Sequence, residues 1–238
     1  MSRRDEVLKE MGLSPVWRLR SVSEVTDEVQ EKIPDQENDN VAQMDWSQLK
    51  AKVAGCTDCK LRAGCTQTVF GVGDEKADWL LVGEAPGAEE DRLGEPFVGQ
   101  AGRLLDNMLA AIELKRGANV YIANVLKCRP PGNRNPEPDE IATCEPFLFG
   151  QLASIQPKVV IALGAFAART LLKTDQPISR LRGRVFDYRG ASLIPTFHPS
   201  FLLRSPGYKR EAWDDLKKAL ALLGRDLPGA AAAPPTSE

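Results

Sequence analysis

Residues 79–87 read WLLVGEAPG: four apolar residues, then glycine, an acid, alanine, proline and glycine. A short apolar run closed by turn formers has the dimensions of a buried β-strand. Three more such runs follow, at 120–125, 159–163 and 192–197. Helical patterns separate them. Leu104, Leu105, Met108, Leu109 and Ile112 share one face, as do Ile141, Leu148 and Leu152, and shorter patterns cover 165–172 and 213–223. Strands alternating with helices imply right-handed crossovers, so the expected fold is α/β, a mainly parallel sheet covered on both faces. Ligands of such sheets collect beyond the carboxyl ends of the strands. The segments leaving the four strands are GEAPG (83–87), NVLKCRPP (124–131), GAFA (164–167) and HPSFLLR (198–204), and the site is expected among them.

Working outward, Asp45 is a candidate N-cap for a helix through Leu49 and Val53 that stops at Gly55. Residues 1–20 have the apolar spacing of a short amphipathic helix. From Glu24 to Asp45 there are eight acids against Lys32, a net charge of −7 inside a chain of net −2. An acidic stretch poor in aromatics reads as a linker. Residues 1–44 are therefore expected to be an N-terminal extension, 45–224 the folded domain, and 225–238 a disordered tail. Between Arg180 and Arg210 seven bases face a single acid, a pattern that suits a polyanion. No apolar run approaches a membrane span, and the N-terminus has no apolar leader, so a cytoplasmic protein is expected.

Five cysteines in such a chain suggest thiols or metal ligands rather than disulfides. Cys56 and Cys59 form a CxxC, Cys128 follows the second strand, and Cys144 lies sixteen residues on. Four thiolates suit either tetrahedral zinc or an iron–sulfur cubane, and spacing does not separate the two. Cys65 is a fifth candidate.

Three segments, GEAPGAEEDRLGEPFVGQAGRLLD (83–106), YIANVLKCRPPGNRNPEPDEIATC (121–144) and PTFHPSFLLR (195–204), together with the CxxC, resemble the iron–sulfur uracil-DNA glycosylases known as family 4. The resemblance spans roughly residues 47–223. It implies a three-layer α/β/α sandwich with a four-stranded parallel sheet, excision of uracil from DNA in base-excision repair, and a [4Fe–4S] cluster on Cys56, Cys59, Cys128 and Cys144, with Cys65 outside the ligand set. A monomer acting on single- or double-stranded uracil-containing DNA is expected, with the N-terminal extension, which lies outside the resemblance, available to a repair partner. The target nucleotide must be flipped out of the stack to be reached.

On this resemblance Phe97 is the ring on which uracil stacks. Asn124 reads the uracil edge, since an amide offers a donor for O4 and an acceptor for N3–H. His198, the only histidine, donates to O2 as the leaving base becomes anionic. Glu84 orients His198 or positions water, and the backbone of Gly83–Ala85 approaches the base. The best-known branch of the superfamily has an aspartate where Ala85 stands and a thymine-excluding tyrosine where Gly87 stands, and Glu90 is the candidate gate against the C5 substituent. Arg129, Arg134, Arg204 and Lys209 are candidate phosphate contacts, and Leu202 is the candidate wedge that fills the vacated stack. Some relatives hold uracil-DNA tightly, even covalently, through an extra basic loop containing histidine. Here 179–188 reads SRLRGRVFDY, with no insertion and no histidine, which favours turnover. A metal-stabilised nucleotide-binding module would leave Phe97, Asn124 and His198 unexplained.

Overall fold

The computed structural model describes residues 44–224; the expected N-terminal amphipathic helix, nearly all of the acidic linker and the C-terminal tail lie outside them. Helix α1 (Trp46–Ala54) begins at Asp45, whose side chain accepts from Gln48 N at 2.9 Å while Gln48 returns the bond at 3.2 Å. The cap at Asp45 and the stop at Gly55 are as expected from the sequence, and the return bond from Gln48 completes a capping box.

Among the described residues the sheet has six strands: β1 (Val72–Gly73), β2 (Trp79–Gly83), β3 (Val120–Asn124), β4 (Val159–Leu163), β5 (Phe186–Tyr188) and β6 (Ala191–Thr196). Their spatial order is β1-β3-β2-β4-β6-β5. The four expected runs form the parallel centre β3-β2-β4-β6, and β1 and β5 add short antiparallel edges. The expectation of four strands missed those edges because two or three residues leave no periodicity to read.

Every residue of β2, β3 and β4 is buried, as a sheet covered on both faces requires. Alternate residues serve opposite faces. Leu80, Val82, Tyr121, Ala123, Val160 and Ala162 pack under α1, α4 (Pro138–Ile155) and α5 (Ala165–Leu172). Trp79, Leu81, Val120, Ile122, Val159 and Ile161 pack under α3 (Gln100–Ala110) and α8 (Lys209–Leu222). The short helices α2 (Ala88–Leu93), α6 (Ile178–Leu181) and α7 (Pro199–Arg204) sit between these elements in the chain. With β2 flanked by β3 and β4, consecutive crossovers run in opposite directions from the centre, and a crevice opens at the strands' carboxyl ends.

Candidate active site

A cavity of about 270 Å³ opens at that crevice. Glu84 and Ala85 leave β2 to line it, Asn124 ends β3 in its wall, His198 follows β6, and Glu90 and Phe97 enter from the segment after β2. Gly83 lies behind Asn124 and Phe97. A Cβ there would stand 2.3 Å from Asn124 Oδ1 and 2.6 Å from the Phe97 ring, so only glycine lets both side chains reach the cavity. The strand ladder continues past the register pair Gly83–Asn124 through Val125 N to Gly83 O (2.9 Å) and Leu126 N to Glu84 O (3.1 Å).

Asn124 is 2% exposed, yet its side-chain amide makes no hydrogen bond to another described residue. Facing the cavity, this amide is open to a ligand that presents both an acceptor and a donor. His198 stands beside Phe97, ring centroids 5.5 Å apart and planes 30° apart. Its Nδ1 accepts from Ser200 N at 3.1 Å and lies 2.8 Å from Ser200 Oγ. The acceptor at Nδ1 assigns the ring proton to Nε2, leaving that N–H as the free donor. Burial, helped by the positive charge of Arg204, pushes the imidazole pKa down to about 4, so the ring is neutral at pH 7. The Glu84 side chain makes no hydrogen bond or ion pair among the described residues, and burial raises its pKa. Ser200, not Glu84, orients His198.

Glu90 is placed otherwise than the gate expected of it. Its carboxylate accepts from Gly87 N (3.1 Å), Val98 N (3.0 Å) and Gly99 N (3.4 Å). Both oxygens are taken up in holding the chain around Phe97.

The expected ligands lie on separate elements, Cys56 just after α1, Cys59 before a 3-10 turn, Cys128 beyond β3 and Cys144 within α4, and all four belong to or pack against one hydrophobic cluster. None of the five cysteines forms a disulfide. Cys65 contacts Arg62, its Sγ lying 3.8 Å from both Nη1 and the backbone carbonyl oxygen of that residue. Among the described residues no three His, Cys, Asp or Glu side chains close on a point that would hold a single metal ion. The donor set nonetheless suits a thiolate-held cluster, because Lys127 N donates to Cys144 Sγ at 3.2 Å, the kind of N–H···S contact that tunes such centres. Burial raises the Cys128 thiol pKa and takes that of Cys144 to about 11. These thiols need a cationic partner to ionise.

Lys127 escaped the sequence reading. It is 1% exposed, and its Nζ donates to Asn124 O (2.8 Å) and Gln151 Oε1 (2.6 Å). Gln151 Nε2 in turn donates to Phe70 O at 2.8 Å. Burial takes the ammonium pKa down to about 8, against the pull of Cys144. The lone charge inside NVLKC was the available signal.

Of the expected DNA contacts, Arg204 and Lys209 are exposed and make no ion pair among the described residues. Arg129 is half-buried, its Nε on Asn133 Oδ1 at 2.7 Å. Arg134 is held by the buried Glu140 through a two-pronged contact at 2.9 and 2.6 Å, on the wall of the cavity. One expectation needs correction. Leu202 is no wedge, since at 1% exposure it packs with Phe197 and Ala212 on the inner side of α7. The next residue, Leu203, is 42% exposed.

Residues 70–217 match the model of the Uracil DNA glycosylase superfamily. The chain is similar to the Type-4 uracil-DNA glycosylase of Archaeoglobus fulgidus, 43% identical over 185 residues that cover 74% of this chain and 92% of the relative. It is 42% identical to the Type-4 uracil-DNA glycosylase of Thermotoga maritima over 182 residues, 75% of this chain and 94% of the relative. The corresponding protein of Sulfurisphaera tokodaii is 40% identical over 178 residues, 71% of this chain and 81% of the relative.

Proposed function

The chain belongs to the uracil-DNA glycosylase superfamily and excises uracil from DNA, and from that premise we propose that Asn124, His198, Phe97 and Glu84 carry the reaction. The observation behind this reading is the unpartnered, buried Asn124 amide in a cavity shared with a neutral histidine whose Nε2–H is free. Uracil stacked on Phe97 presents O4 and N3–H to Asn124 and O2 to His198. As the N-glycosidic bond breaks, its electron pair passes to the base, and the Nε2–H donor stabilises the charge growing on O2. A neutral donor is well suited here, because it stabilises the anion without a proton having to be transferred. The Glu84 carboxylate, free of protein partners, faces the cationic sugar and the attacking water. The alternative, a binder that holds uracil-DNA without turnover, is separated by one measurement. Purified protein mixed with a uracil-containing oligonucleotide should release free uracil and leave an abasic site; stable retention without release would establish the binder.

Arg204 and Lys209 serve the DNA backbone in this proposal, with exposed Leu203 in place of Leu202 as the apolar residue available to the duplex. The protein acts as a cytoplasmic monomer. Cys56, Cys59, Cys128 and Cys144 hold a [4Fe–4S] cluster whose contribution is structural. Pro130, Asn133 and Arg134, from the loop between the last two ligands, form one wall of the uracil cavity, so a fixed loop means a fixed pocket. The purified protein should be brown with about four irons per chain. Cys128→Ser should lower iron content and solubility together, and Cys65→Ser should keep the colour. Stoichiometric zinc without iron in anaerobically prepared protein would refute the cluster.

A further inference from the structure

Phe97 has a backbone φ of 56°, in the left-handed region that a bulky aromatic residue seldom occupies. It is 6% exposed, and its ring lies against Gly83 and beside His198. A conformation of this kind persists only where the surroundings over-determine it. Here they do so from two sides. Arg116, in the turn before β3, donates through Nη1 to Pro96 O and through Nη2 to Phe97 O, both at 2.8 Å, while its Nε donates to Asp106 of α3 at 3.0 Å. From the other side the Glu90 carboxylate gathers the N–H groups of Val98 and Gly99. The first turn of α3 seals the arrangement, since a Cβ on Gly102 would fall 1.6 Å from Phe97 O.

We propose that Arg116 is a positioning residue for uracil recognition. Its guanidinium, anchored on Asp106, grips the two carbonyls around Phe97 and so holds the ring at the angle on which the flipped base stacks. This rests on the reading of Phe97 as the stacking ring. Arg116 touches neither base nor DNA in this role; it acts through the backbone of one residue. Lysine cannot substitute, because a single ammonium on a flexible stem does not reproduce a planar fork that serves two carbonyls and a carboxylate.

The test is a double-mutant cycle on the full chain, with Phe97→Ala, Arg116→Ala and the double variant assayed on a uracil-containing single strand. Single-turnover rates, affinity for the oligonucleotide, melting temperature and iron content are measured for each. Arg116→Ala should lower kcat/KM by about 10- to 100-fold, the scale expected when a reacting partner is misplaced by an ångström. Most of the loss should fall on substrate affinity, with iron content unchanged, and Arg116→Lys should recover little of it. In the Phe97→Ala background the same substitution should cost almost nothing further. Losses that multiply in the double variant would overturn the proposal, as would wild-type kcat/KM in Arg116→Ala while Phe97→Ala is impaired. A Phe97→Ala variant with wild-type activity would instead defeat the stacking role, and the positioning role with it.

Discussion

Asn124→Ala is expected to cripple uracil excision while leaving iron content and melting behaviour nearly unchanged. The amide makes no protein hydrogen bond that the fold would miss, and it faces the cavity from the last position of β3. Two hydrogen bonds to a buried and increasingly anionic base are at stake, so the loss should reach two orders of magnitude or more, on the order of 3 kcal/mol. Asn124→Asp is more discriminating. An ionised carboxylate has only acceptors, which repel uracil O4 but suit the exocyclic amine of cytosine. Uracil excision should fall steeply, and any new activity should be toward cytosine. Single-turnover rates on uracil- and cytosine-containing strands decide the matter. Uracil rates near wild type in either variant would mean that another residue reads the base.

The second large effect concerns His198 and has a signature in pH. Removing the donor to O2 by His198→Ala should slow excision by about 10²- to 10³-fold, the usual toll for one preorganised oxyanion donor. Because the folded pKa is pushed down to about 4, the wild-type rate should not fall through the ordinary histidine range near 6.5. Any loss that depends on this ring belongs near pH 4, where Nδ1 must gain a proton and give up its contact with Ser200 N. The same depression fixes the sign for stability. Above pH 6.5 the ring is neutral both folded and unfolded, and it imposes no proton-linked penalty. As pH falls from 6.5 toward 4 the unfolded chain takes up a proton that the folded one refuses, and stability drops by on the order of 3 kcal/mol over that window. His198→Gln should flatten that part of the melting-temperature profile. An activity limb near pH 6.5 that disappears in His198→Gln would show that the ring is charged and exchanges with solvent in the working enzyme.

The parallel centre of the sheet was legible because strands buried on both faces must be apolar at every position, and such runs are conspicuous between turn formers. The residues at their carboxyl ends inherited that clarity, and Asn124 and His198 stand in one cavity as anticipated. What stayed hidden depends on rotation and reach. Leu202 and Leu203 are equivalent as letters, and only the turn of α7 against Ala212 decides which is buried. Glu90 and Arg134 read as free charges because their partners, backbone N–H groups and Glu140, leave no periodic trace. Arg116 lies twenty and nineteen residues from the two carbonyls it grips, and Lys127 was obscured by neighbours that announced cysteine chemistry.

The buried chain from Asn124 O through Lys127 to Gln151 and Phe70 O has a consequence for how this sequence can drift. An ammonium with no access to water tolerates the loss of a partner badly, and leaving a buried hydrogen-bonding group unpaired typically costs about 1–3 kcal/mol, more where the group is charged. Replacing both halves with apolar side chains of matching volume removes the buried charge and its acceptor together, and although Asn124 O and Phe70 O lose these donors it should cost less than stranding the ammonium. Positions 127 and 151, twenty-four apart, should therefore change together or not at all. Descendants that keep lysine at 127 should keep an acceptor at 151. Those that exchange the lysine for methionine should carry leucine or methionine opposite it, and libraries selected for folding should recover the pair far more often than either single change.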